Sequence, residues 1–288
     1  MENLRGSVLM ILAMAGFALE DTFIKRLALD LTVGQILLLM GIGGAIIFGS
    51  LTVARGERLI STDLLTLPVI LRNLGELAGA LGFVSALALI DLSAASAILQ
   101  ATPLAVTFGA AIFLGEVVGW RRWSAILVGF TGVLMVIRPG FSAFEPAALL
   151  ALASVFCLAL RDLATRFVAP KVSSMQLSAY AFAMLIPGGI ALSLAMGNPV
   201  LPGSFQWFDL LGAMAFGCLG YYAIVAAMRV GEVSFVTPFR YTRLIFALIL
   251  GVSLFGERPD IWTLTGSAII ILSGLYTLLR ERKLAGNA

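Results

Sequence analysis

Histidine is absent from the 288 residues, and cysteine occurs only at Cys157 and Cys218, both inside apolar runs. A zinc site built from Cys and His, or a Ser-His-Asp triad, cannot be assembled from such a chain. Charge is scarce as well: Asp, Glu, Lys and Arg make up 12% of the sequence, against about 25% in soluble domains. No G-x-x-x-x-G-K-[ST] stretch is present, which excludes ATP coupling through a phosphate-binding loop of this chain. D-x-x-D clusters, expected of an enzyme that works on lipid-linked substrates at a membrane face, are missing too.

What the chain has instead is apolar length. Hydrophobic residues account for 60% of it, and mean hydropathy is +1.03. A helix crossing a bilayer needs about 20 apolar residues. Cutting the apolar runs at charges and at Pro/Gly clusters predicts ten such helices, at 5–27, 33–54, 68–90, 94–114, 121–138, 145–168, 173–196, 207–229, 234–255 and 260–279. The expected fold class is an all-α integral membrane protein, embedded in the lipid bilayer, with no room for a sizeable soluble domain. The first run resembles the apolar part of a signal peptide. It continues without a break through Glu20 and Asp21 to Lys25 and Arg26, so a retained first span is expected.

Sliding the sequence against itself by 141 residues superposes Asp21 on Asp162, Lys25 on Arg166, Gln35 on Gln176 and Gly79 on Gly220. The same register superposes Asp91 on Glu232, Ser93 on Ser234, and Gly115-Glu116 on Gly256-Glu257. The chain reads as two five-helix repeats, 1–139 and 140–288, joined at Arg138-Pro139-Gly140-Phe141-Ser142. An odd number of spans delivers the second repeat upside down, so the repeats are inverted, an architecture common among secondary transporters. A net charge of +3 suggests nucleic acid, but most Lys and Arg sit at span ends, where they mark topology, and no nucleic-acid partner is expected. With a cytoplasmic N-terminus, eleven of them (Arg5, Arg55, Arg58, Arg121, Arg122, Arg166, Lys171, Arg229, Arg280, Arg282, Lys283) fall inside, and four (Lys25, Arg26, Arg138, Arg258) outside. Both termini are therefore expected in the cytoplasm.

The stretch ALALIDLSAASAILQATPLAVTFGAAIFLGE, Ala86 to Glu116, and its repeat AMRVGEVSFVTPFRYTRLIFALILGVSLFGE, Ala227 to Glu257, resemble the EamA-type signature of the drug/metabolite transporter superfamily. There a span ends in a short acidic-small loop, and the chain re-enters through small residues and Pro into an apolar helix closing in Gly-Glu. The resemblance covers the whole chain and is greatest to bacterial aromatic amino-acid exporters. It implies export of small metabolites, often amino acids, across the bacterial inner membrane, without a cofactor.

Ionisable groups inside spans are costly unless paired or hydrated, so each is a candidate. Span one carries Glu20 and Asp21, and span six their repeat equivalents Arg161 and Asp162. Two readings are open for Arg161: pairing with an acid to satisfy burial, or lining a substrate or proton route. Span three carries Arg72, Asn73 and Glu76, with Arg72 and Glu76 on one face, and Gly79 allows a close helix approach. Gln100 and Thr102 of span four lie near Pro103, and span nine carries Pro238, Arg240, Tyr241 and Arg243. A proline there frees a carbonyl and permits a bend. Arg240 and Arg243, three apart, could hold a substrate carboxylate or neutralise Asp162 or Glu20. Tyr221 and Tyr222 suit planar solutes. Trp120, Trp123, Trp207 and Trp262 are assigned to the interfacial belt. The expectation is a secondary transporter for small organic solutes around a midplane cavity, with no metal. The alternatives are a membrane enzyme using Asp21, Glu76 and Asp162, or a passive channel.

Overall fold

The computed structural model describes residues 2–115, 119–197, 199–230 and 233–285. Glu116 and Glu232 lie outside these, as do the side chains of Arg229, Ser234, Arg282 and Lys283. The first repeat contains α1 (Glu2–Leu27), α2 (Val33–Ala54), α3 (Leu67–Leu89), α4 (Leu92–Leu99), α5 (Thr102–Phe113) and α6 (Trp120–Ile137). The second contains α7 (Ala148–Thr165), α8 (Ser174–Met196), α9 (Ser204–Val230), α10 (Val233–Val236), α11 (Thr242–Phe255) and α12 (Ile261–Ala285). Among the described residues ten spans result, each long and apolar enough to cross a membrane. Trp120, Trp207 and Trp262 each lie in the first turn of a helix and are exposed.

Spans four and nine are broken where the prolines sit. Pro103 has no N–H to give the Leu99 carbonyl, so α4 stops at Leu99 and α5 restarts at Thr102. The Thr102 hydroxyl takes over the orphaned carbonyl, donating to Leu99 O at 2.6 Å. In span nine a 3₁₀ turn over Thr237–Tyr241, with Pro238 in its first positions, precedes α11.

The most extensive helix pairings are α2 with α8, α1 with α9, α3 with α7, and α6 with α12. Each joins one repeat to the other. Exchanging the repeats maps α2–α8 and α6–α12 onto themselves and α1–α9 onto α7–α3, as a two-fold axis between inverted halves requires. Glycines let these backbones meet. A methyl on Gly189 of α8 would lie 2.5 Å from Leu38 N and 2.8 Å from Gly34 O on α2. Gly132 and Gly266 meet in the same way between α6 and α12.

Because the atoms facing Gly189 are backbone, they cannot move aside alone. Gly189→Ala is expected to lower stability by about 1–3 kcal/mol, read as a lower unfolding temperature in detergent. Gly43→Ala, where only the flexible tip of Met214 intrudes, should be nearly silent. Equal behaviour of the two variants would show that the α2–α8 seam is looser than this geometry.

The two repeats also cap each other's loops. Thr32 and Gln35 form a capping box at the start of α2, as do Ser173 and Gln176 at the start of α8. Gln35 Nε2 donates to Val200 O in the second repeat at 2.6 Å, and Gln176 Nε2 donates to Arg58 O in the first at 2.6 Å. The match of Gln35 to Gln176 thus marks one structural device used twice.

Candidate functional site

A cavity of about 460 Å³ lies between the repeats, walled by α1, α2, α3, α7, α8, α9 and the span-nine segment. One end is sealed by buried Ile24, Ile36, Leu37 and Val84, which continue into the main apolar core. Beyond that seal, Glu257 closes the hairpin between spans three and four. Its carboxylate accepts from Leu92 N at 2.5 Å, Ser93 N at 3.0 Å and Ser93 Oγ at 2.7 Å, capping the N-terminus of α4 from the opposite repeat. Lys25 Nζ donates to Leu87 O at 3.2 Å, in the last turn of α3, and to Ile90 O at 2.5 Å, just past its end, and lies 4.0 Å from Glu257. Gly256, left-handed at φ 65°, turns the chain so that Glu257 points inward, and Gly115 has the same conformation at φ 66°. At the other end the lining finishes at Thr165, exposed in the last turn of α7.

The charged candidates converge on this cavity. Arg243 grips Asp21 with three contacts, Nε to Oδ2 at 3.1 Å and Nη2 to the two oxygens at 2.8 and 2.7 Å, while Phe17 and Phe83 flank its guanidinium. Asp21 is 2% exposed, so the counter-charge answers its burial, and Arg243 is not free to clamp a ligand carboxylate. Arg161 donates Nε to Asp162 Oδ1 at 2.8 Å and lies 3.3 Å from Glu76, with Arg72 3.7 Å from the same carboxylate. Asp21, Glu76 and Asp162 are each held by an arginine. Glu20, Gly79, Tyr221 and Arg240 also line the cavity. Tyr221 stands edge-on to Phe48 at 5.1 Å, and Phe48 stacks on Phe182 at 5.4 Å, forming an aromatic shelf.

Other candidates lie off the wall. Asn73 is buried and accepts from Arg72 Nη1 at 3.0 Å, supporting that arginine. Gln100 Nε2 donates to Arg240 O at 3.1 Å, tying together the two broken spans. The hydroxyl of Thr102 is engaged on the Leu99 carbonyl, and Pro238 shapes the span-nine turn. Tyr241 is buried, with its ring against Gly274. Tyr222 is 67% exposed on the outer surface. Apolar lining residues such as Phe48 and Phe182 carried no signal in the sequence, because aromatic residues on apolar helices are common.

The sequence is similar to those of several transporters. The chain is 32% identical over 188 residues to a riboflavin transporter of Vibrio cholerae serotype O1, covering 65% of this chain and 62%, less than two thirds, of that protein. It is 25% identical over 214 residues to an S-adenosylmethionine uptake transporter of Rickettsia prowazekii, covering 74% and 72%. A pseudopaline exporter of Pseudomonas aeruginosa is 26% identical over 200 residues, covering 69% of each. One solved crystal structure superposes at TM-score 0.65 over 98% of both chains, with 19% identity, and so shares the fold. The model of the EamA-like transporter family matches twice, over residues 4–138 and 145–279. This multi-pass membrane protein, a transporter and not an enzyme, therefore belongs to the EamA-like transporter family of the drug/metabolite transporter superfamily.

Proposed function

We propose that the chain is a bacterial inner-membrane secondary transporter that exports amino acids, aromatic ones favoured, by alternating access around this cavity. The supporting observation is the cavity itself: closed at one end, lined by charged side chains and the Phe48–Phe182–Tyr221 shelf, and large enough for a small organic solute. The candidate residues that face it carry recognition, and those on its margin (Asn73, Gln100, Thr102, Pro238 and Tyr241) hold it in shape. With both termini cytoplasmic, as the Lys/Arg bias favours, the Thr165 end faces the cytoplasm and the Glu257 end faces outward. The repeats 1–139 and 140–288 then act as the two counter-moving halves. A second reading, uptake of a planar heterocycle, is favoured by the relative named as a riboflavin transporter.

Counterflow in proteoliposomes separates these readings. Trans-loaded phenylalanine should accelerate entry of labelled phenylalanine, and riboflavin should not compete. Saturable exchange also distinguishes a carrier from a channel. Tyr221→Ala removes ring contact worth about 0.5–1.5 kcal/mol, so apparent affinity for phenylalanine should fall about two- to tenfold, more than for alanine. Tyr222→Ala, on the outer surface, should leave both unchanged. Exchange of riboflavin alone would replace the amino-acid reading with the second one.

A further inference from the structure

Eight charged side chains line the cavity: Arg72, Arg161, Arg240 and Arg243 against Glu20, Asp21, Glu76 and Asp162. Their formal charges cancel. Asp21 belongs to Arg243, Asp162 to Arg161, and Glu76 lies between Arg72 and Arg161. One group of each sign remains. Among the described residues neither the Glu20 carboxylate nor the Arg240 guanidinium has a hydrogen-bond or ion-pair partner, although both line the cavity. Glu20 packs its carboxylate against Gly217 of α9, where an added methyl would lie 2.6 Å from Oε1. Arg240 is held through its backbone, whose carbonyl accepts from Gln100 Nε2 at 3.1 Å.

We propose that Glu20 and Arg240 are the two poles of a zwitterion site. Arg240 receives a carboxylate and Glu20 an ammonium carried on the same solute. This inference rests on the cavity being the transport site, and it names what that site selects. Inside a low-dielectric cavity, a ligand with one charge leaves the opposite pole unpaired and adds net charge, and a neutral ligand leaves both poles bare. A zwitterion satisfies both poles at unchanged net charge. The unpaired state of the two groups is then the empty form of a site whose ligand completes the charge balance.

Three compounds sharing one ring test this: phenylalanine, phenethylamine, which lacks the carboxylate, and 3-phenylpropionate, which lacks the ammonium. In competition against phenylalanine counterflow, the wild type should prefer phenylalanine over either analogue by at least about tenfold, the worth of one charge-assisted contact. Arg240→Gln should erase the advantage over phenethylamine, and Glu20→Gln the advantage over 3-phenylpropionate. Arg240→Lys should keep part of it. Gel filtration establishes that each variant is folded, and thermal-shift titration of purified protein with the same compounds reads binding independently of flux. Equal potency of all three on the wild type, equal or absent thermal shifts, or a proportionate loss for every compound in both variants would overturn the proposal. Absence of phenylalanine flux together with a charge-selective thermal shift would instead overturn the transport reading and leave the zwitterion site standing.

Discussion

Arg243→Gln is expected to cost about 3–5 kcal/mol of stability, because it strands a buried carboxylate. Asp21 is 2% exposed, and Arg243 supplies its ion pair and three hydrogen-bond contacts. Glutamine keeps length but loses the charge and the two-pronged geometry. The loss should appear as reduced yield and a lower unfolding temperature in detergent. Asp21→Asn combined with Arg243→Gln should recover most of it, since two neutral amides leave no bare charge. Arg240→Gln, which breaks no pair, should keep near wild-type stability. A stable Arg243→Gln protein, or a double variant no better than the single, would show that Asp21 is satisfied by something other than this arginine.

The second large effect concerns the sealed end. Glu257→Ala deprives Leu92 N, Ser93 N and Ser93 Oγ of their acceptor and leaves Lys25 without its nearby acid. Each buried donor left unpaired costs about 1–3 kcal/mol, and water reaching that end relieves the cost. The variant should therefore populate a form open there. A cysteine at Ile36, in protein whose Cys157 and Cys218 have been replaced, is sealed off in the parent. A bias of about 3 kcal/mol changes the open population on the order of a hundredfold, and a polar maleimide added from the Glu257 side should label faster to a comparable degree. Glu257→Gln, keeping one acceptor, should fall between. Labelling that stays at the parental rate in folded protein would remove Glu257 from the closure.

The spans were legible because twenty-residue apolar runs have few structural alternatives. The repeat was legible because polar matches such as Gln35 with Gln176 and Gly115 with Gly256 report shared caps and turns. Partnership across helices was not. Which of Arg240 and Arg243 is claimed depends on where Asp21 sits in three dimensions, and no spacing along span nine encodes that. Adjacent residues on a helix point about 100° apart; Tyr221 lines the cavity and Tyr222 does not, and the helix phase of α9 that decides this is not written in the pair itself. Pro103 announced a bend, but the hydroxyl of Thr102 was legible only as a polar group beside that proline. Its role in repairing the freed Leu99 carbonyl required the broken helix to be seen.

The paired glutamine caps carry a consequence for how such a molecule could arise. Gln35 reaches Val200 and Gln176 reaches Arg58, each extending from one repeat into a loop of the other at opposite ends of the α2–α8 seam. A handshake that reads the same after exchange of its partners needs only one hand to be encoded. A half-length chain inserted in both orientations would present that cap and its acceptor loop to an upside-down copy of itself. Fusion of the two copies would then free them to diverge, letting one cavity wall keep an unpaired arginine and the other an unpaired glutamate.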